Sequence, residues 1–267
     1  MIPNGWRAAL SSGRAALMGR SRGVSLPRSD RSNIAGWIAG DQFASLPDPL
    51  GRSGFTLPDL RGAQLQPLPG GGSDNWLILC GNRPQPGTKI AVQNNASGNV
   101  VVLGCGAKHP SSITINGSSN LAIFGDDITW PLRIDLRFSS SSGVFYFGRE
   151  GSSNGSEIIL EGDGCNVLIG DDCMLAADTS VRTSDLHAIR DAKTKEWLNA
   201  PSSVLVEPHV WIGHGAMVTK GVSIGGGSVI GAQSLVNRSV PPAVIAGGTP
   251  ARVLRDGIEW TRERDWK

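Results

Sequence analysis

Val206, Ile212, Val218, Ile224, Ile230 and Val236 stand six residues apart without a miss. Four places after each comes a small or β-branched residue: Val210, Ala216, Val222, Ser228, Ser234 and Val240. Gly213, Gly225 and Gly231 directly follow three of the six, and upstream Ile169, Leu175 and Val181 keep the same spacing. A period of six is neither the 3.6 of a helix nor the two of an ordinary strand. It suits a three-sided coil, in which three short strands make each turn and one apolar side chain per strand points to the axis. Stacked turns then bury a continuous aliphatic column, and ladder hydrogen bonds satisfy the backbone. The flat outer faces of such a rod commonly associate into symmetric oligomers.

Before residue 166 the pattern is looser. Short β-rich runs, among them Val100-Val101-Val102-Leu103, Leu121-Ala122-Ile123-Phe124 and Val144-Phe145-Tyr146-Phe147, alternate with clusters of Gly, Asn, Ser and Asp. By themselves they fit a sandwich or a solenoid. With 36 Gly and 16 Pro in 267 residues, a helical bundle is excluded. The expected organisation is a basic, Gly/Pro-rich extension over 1–75, irregular coils over 76–165, regular hexapeptide coils over 166–240 interrupted by a loop at 182–205, and a closing segment over 241–267. Trp260 and Trp266 suggest a short C-terminal helix capping the rod.

The net charge of +2 offers no strong field for nucleic acid. No apolar stretch approaches the ~20 residues that cross a bilayer, and the Arg-studded N-terminus lacks a signal-type apolar run. Six arginines against Asp30 within residues 1–35 make that arm a solvated or interface-packing segment, with docking on an anionic membrane surface or polymer as the alternative. Cys80, Cys105, Cys165 and Cys173 sit in or beside apolar runs and read as reduced core residues, hence a cytoplasmic protein. Residues 36–75, broken by Pro47, Pro49, Pro58, Pro67 and Pro69, receive no assignment.

Over residues 166–256 the chain resembles the hexapeptide-repeat acyltransferases. The resemblance is carried by IGDDCMLAADTSVRTSDLH, HVWIGHGAMVTKGVSIGGGSVIGAQSLV and VPPAVIAGGTPARVLR. These segments look most like the galactoside and maltose acetyltransferases and the capsule and lipopolysaccharide O-acetyltransferases. The resemblance implies an all-β fold, the left-handed parallel β-helix, and a homotrimer with active sites between subunits.

The loop between Val181 and Val206 is polar, with Arg182, Asp185, His187, Arg190, Asp191 and Glu196, and such interruptions often carry function. His187 is the natural general base, since a histidine with an ordinary pKa near 6.5 can take a proton from a hydroxyl and return it to a leaving thiolate. The resemblance implies the same role, because His187 lies 24 residues before Trp211 of the VWIG segment. Asp185 either orients the imidazole or makes a local turn. By resemblance Trp211 lines the acyl or acceptor pocket, and its alternative is packing between subunits. Asn166 and Glu161 are further candidates for acceptor contact.

The implied donor is acetyl-CoA, with groove contacts at His214 and Ala232 and phosphate contacts at Arg238, Arg252 and Arg255, and with no metal required. Asn237-Arg238 replaces the more usual Thr-Lys and keeps the charge. The expected function is acetyl transfer to a sugar hydroxyl in surface polysaccharide synthesis. One alternative is a γ-class carbonic anhydrase using His187, His209 and His214, although its GHxxxxH run would need a histidine where Thr219 stands. The other is a non-catalytic solenoid for binding or assembly.

Overall fold

The computed structural model describes residues 47–264, except 51–52, 61–62, 81–87, 107, 109 and 129. The basic arm expected at the N-terminus and its membrane contact lie outside the described residues, as does Trp266. Among the described residues there is no helix, and so none long and apolar enough to cross a membrane.

The chain is a parallel β-solenoid with three faces. Face 1 stacks Trp76–Leu79, Val100–Leu103, Leu121–Phe124, Val144–Phe147, Asn166–Ile169, Val204–Val206 and Ser223–Ile224. Each strand pairs in parallel with the one a turn away. Faces 2 and 3 join in the upper coils, because Ser152–Leu160 runs around the corner between them. Its first residues pair with Met174–Leu175 on face 2 and its later ones with Thr179–Arg182 on face 3. Gly155 makes that bend at φ +142, a conformation that glycine adopts without strain. Below, face 2 continues through Trp211–Ile212, Val229–Ile230 and Val244–Gly248, and face 3 through Met217–Val218 and Leu235–Val236.

The six-residue period becomes three vertical columns. Ile169, Val206 and Ile224 stack on face 1, Leu175, Ile212 and Ile230 on face 2, and Val181, Val218 and Val236 on face 3. All nine are fully buried. The irregular coils fill the same axis with larger groups, including Phe124, Phe138, Phe145 and Phe147.

At the corner between faces 3 and 1 the upper coils carry a polar ladder. Asn75 Oδ1 accepts from Asn99 N and Nδ2 at 3.1 and 2.8 Å, Asn99 Oδ1 accepts from Asn120 N, and Asn120 Oδ1 accepts from Gly143 N. The ladder lapses at Gly143, which has no side chain to offer; among the described residues Asn120 Nδ2 is buried without a partner. Asn166 takes it up again by accepting from Val144 N at 2.9 Å.

Residues 53–60 and 63–65 form a strap along the outside of face 1. Phe55 and Leu60 bury themselves against Ile78, Val102, Ile123, Tyr146 and Leu168, the outward residues of that face. Gly54, at φ +82, passes so close to Pro208 that an added Cβ would lie 2.2 Å from its Cγ. Asp171 accepts from Thr56 N and Oγ1, and Asp126 accepts from Asp59 N at 2.9 Å, so two corner carboxylates hold the strap. Tyr146 Oη lies 2.7 Å from Asp171 Oδ1, and burial pushes its phenol pKa well up. Gln64–Pro67 ends the strap by pairing antiparallel with Trp76–Leu79.

Two expectations are corrected. In place of a C-terminal helix, Val244–Gly248 folds back antiparallel on Ala251–Asp256, and residues 258–264 run extended along the corner between faces 1 and 2. There Ile258 N donates to Ala243 O, Trp260 stacks on His209 at 4.1 Å, and Arg262 donates to Asp172, Ser152 and Cys173 O. These contacts are spread over four coils, so the tail clips the stack together. The cysteines are also not all reduced, because Cys80 and Cys105, on adjacent coils with Cα atoms 4.7 Å apart, form a disulfide.

Replacing Ile230 by Ala should lower stability by about 2–5 kcal/mol through the cavity it opens. Asn99→Ala should cost about 1–3 kcal/mol by orphaning buried polar groups. Urea unfolding midpoints measure both. Cys165 and Cys173 are free, and burial pushes their thiols up to about 11 and about 12. Unreduced native protein should therefore react little with a thiol reagent at pH 8, whereas the unfolded, unreduced chain should show two thiols and the reduced, unfolded chain four.

Candidate functional site

The excursion from the rod spans residues 183–203, leaving after Thr179–Arg182 on face 3 and returning at Val204–Val206 on face 1. Its base is tied to the coil above, where Ser184 Oγ donates to Glu161 Oε2 at 2.6 Å and Thr183 Oγ1 to Glu161 O at 2.8 Å. It is tied below as well, through Gly221 N to Ser202 O and an ion pair between Lys220 and Asp185. Beyond the base it folds as a small hairpin with a bridge between Arg190 and Trp197. Asp191 accepts from Lys193 N and Thr194 N to turn the tip, which holds its carboxyl below the usual carboxylate range.

His187 sits at the neck of this hairpin, exposed, and among the described residues its imidazole makes no hydrogen bond or ion pair. Its backbone, in contrast, is held on both sides. His187 N donates to Asp185 O at 2.8 Å, closing a γ-turn whose central residue, Leu186, stands at φ +66. That conformation is strained for a bulky side chain and persists only where the surroundings enforce it. His187 O accepts from Asn199 Nδ2 at 2.8 Å.

Asp185 does not face the imidazole. Its carboxylate binds Lys220 Nζ and Asn199 Nδ2, and these two donors, Lys220 first, hold its carboxyl below the usual range. Asn199 was not singled out by any sequence motif, yet it joins more of the loop than any charged residue there. The sequence signal was slight: one amide near the loop's return, with no fixed spacing to His187.

The other candidates are distributed over the rod. Trp211 is exposed on face 2, between Met174 and Val229, and lies 6.1 Å from Trp260. Face 2 is opposite the corner that carries His187, so one chain does not bring the two together. His214 and Ala232 are neighbours at the corner between faces 2 and 3, where Gln233 N donates to His214 O. His214 Nδ1 is 3.8 Å from Asp178. Arg252 and Arg255 lie exposed on the hairpin strand opposite Gly247 and Ile245, while Arg238 is exposed at the corner below Lys220. Asn166 serves the ladder, and Glu161 anchors the loop. A shallow groove of about 330 Å³ lined by Arg133, Asp135, Glu157 and Asp178 contains none of the other candidates.

No group of three or more His, Cys, Asp or Glu among the described residues is placed to hold a metal ion. His209 has both ring nitrogens engaged, Nδ1 with Asp172 at 2.6 Å and Nε2 with Trp260 O at 2.9 Å.

No family profile matches the chain. Over 128 residues it is 34% identical to the polysialic acid O-acetyltransferase of Escherichia coli O1:K1 / APEC, covering 48% of this chain and 41% of that protein. Over 119 residues it is 33% identical to the galactoside O-acetyltransferase of Escherichia coli strain K12, covering 45% and 57%. The chain thus spans about half the length of these curated relatives. Among solved structures, the polySia-specific acetyltransferase NeuO superposes with a TM-score of 0.58 at 26% identity, over 73% of this chain and 90% of that one. The resemblance to the hexapeptide-repeat acyltransferases holds. The superposition covers more of the chain than the regular hexads alone.

The Asn199 side-chain amide resonances should titrate with Asp185. Because its folded-state carboxyl is depressed, the Lys220–Asp185–Asn199 tie is present above the ordinary Asp value of about 3.9 and is lost as pH falls below it. An NMR titration with a midpoint at or above that value would show the tie is not formed.

Proposed function

We propose that this protein is an O-acetyltransferase that moves an acetyl group from acetyl-CoA to a sugar hydroxyl, with His187 as general base. The observation that carries the reading is the imidazole itself: exposed, unengaged, and mounted on a backbone held from both sides at the neck of the loop. A solvated histidine on a floppy loop has no need of a strained turn beneath it.

In this reaction a ring nitrogen of His187 takes the proton of the acceptor hydroxyl as its oxygen bonds to the thioester carbonyl carbon. The tetrahedral oxyanion is stabilised by a backbone N–H of a nearby coil, the C–S bond breaks, and the imidazolium returns its proton to the departing thiolate. Removing the proton during attack, rather than before it, avoids a free alkoxide. Neither free cysteine lies in the loop, and both are buried, so direct transfer is favoured over an acyl-enzyme.

Arg238 and Arg255 make no ion pair among the described residues and Arg252 bonds only its neighbour's carbonyl, which leaves their guanidiniums free for the phosphates of CoA. His214 and Ala232 would border the pantetheine. Trp211 and His187 lie on opposite sides of one rod, so a complete site needs a second copy of the chain, in keeping with a homotrimer. Exposed Leu186, Ile189, Trp197 and Leu198 give the loop an apolar surface for that contact. The proposed acceptor is a glycan of surface polysaccharide synthesis. A CoA donor places the reaction in the cytoplasm, where the Cys80–Cys105 bond must withstand a reducing pool.

His187→Ala should lower turnover by about 10²–10⁴-fold with CoA affinity unchanged, measured as CoA thiol release from acetyl-CoA with a galactoside or oligosialic acid as acceptor. Unchanged turnover would reject the assignment.

A further inference from the structure

The loop contains one side chain whose hydrogen-bonding capacity is fully used. Asn199 Nδ2 donates to Asp185 Oδ2 at 2.9 Å and to His187 O at 2.8 Å, while Oδ1 accepts from Ile189 N at 2.6 Å and Trp197 Nε1 at 2.9 Å. A primary amide has two N–H donors and two acceptor sites, and all four are spent here. Three of the four partners belong to residues 185, 187 and 189, so one amide grips the strand that carries His187 before, at and after it. The fourth, Trp197, lies under the Arg190 guanidinium at 5.9 Å and fixes the returning strand. Asp185 then passes the restraint to Lys220, which stands on the regular coil.

We propose that Asn199 is the positioning residue for His187, setting the direction of the imidazole through the backbone on which it is mounted. The assignment rests on the general-base reading of His187 but concerns a different group, one that touches neither donor nor acceptor. Only an amide satisfies this site. An aspartate would lose both donors and set a second carboxylate against Asp185, and a glutamine would carry the head one methylene too far. Without the amide, the positive-φ turn at Leu186 has lost the bond holding its far end, and it relaxes to a conformation that aims the side chain elsewhere. A displacement of about 1 Å at a reacting group can cost about 10²-fold in rate.

The test compares Asn199→Ala, Asn199→Asp and Lys220→Met with the unsubstituted protein. CoA thiol release is measured with acetyl-CoA and the galactoside acceptor, and amide hydrogen exchange is followed by mass spectrometry. Asn199→Ala and Asn199→Asp should lower kcat about 10–100-fold with KM for acetyl-CoA and the inflection of the pH–rate profile unmoved. Peptides from residues 183–203 should exchange at least about 10-fold faster while those of the coils stay unchanged. Lys220→Met should loosen the same peptides. Native loop exchange in Asn199→Ala, or faster exchange with unchanged kcat, would overturn the proposal. If His187→Ala leaves turnover intact, the general-base reading fails by itself, and the exchange measurement still decides whether Asn199 orders the loop.

Discussion

One aliphatic side chain per face must reach the axis at every turn, and the remainder of this rod follows from that demand. Ile169 over Val206 over Ile224, with the equivalent columns on faces 2 and 3, leaves no room for a polar residue and none for a change of register. A slip by one residue would turn an entire face inside out. Because the strands of the regular coils are only two to four residues long, little of the cohesion can come from any one ladder. It comes from summing many equivalent contacts along the stack, as in other solenoids.

On such a frame, specific function has to be added from outside, and the chain adds three pieces. The strap of residues 53–60 and 63–65 covers the outer side of face 1, the tail of residues 258–264 crosses several coils at one corner, and the loop of residues 183–203 projects from another. Each is attached by charged or polar groups at coil corners, namely Asp126 and Asp171, His209 and Asp172, Glu161 and Lys220. Corners are where the ladder turns and where backbone groups and short side chains face outward. The same geometry thus supplies both structural anchors and the footing of the candidate site.

The lower coils were legible in the sequence because a period of six has one common structural explanation, and every residue it picked out lies in a column. Strands such as Val100–Leu103 and Leu121–Phe124 were also legible, but their architecture was not, since short apolar runs fit a sandwich as well. The asparagine ladder was hidden because its rungs, Asn75, Asn99 and Asn120, are spaced by one turn of variable length. The strap was unreadable for a similar reason: its anchors lie far away in sequence, Thr56 against Asp171 and Asp59 against Asp126. In the loop, an imidazole announces its chemistry by type, whereas an amide such as Asn199 gains meaning only from what folds around it. For Asp185 the sequence left two readings open, orienting the imidazole or making a local turn, and its bonds to Lys220 and Asn199 could not be read from it, because closeness to His187 in sequence says nothing of the direction in which a carboxylate points.

The two antiparallel strands at the ends of the stack have a bearing on solubility. A parallel solenoid presents, top and bottom, rows of amide and carbonyl groups ready to template another rod, which is how fibres grow. Gln64–Pro67 occupies that row on face 1 at the upper end, and Ala251–Asp256 occupies it on face 2 at the lower end. Both run against the direction of the coils, and the second carries Arg252, Arg255 and Asp256 into water. Head-to-tail pairing through these two rows is thereby disfavoured.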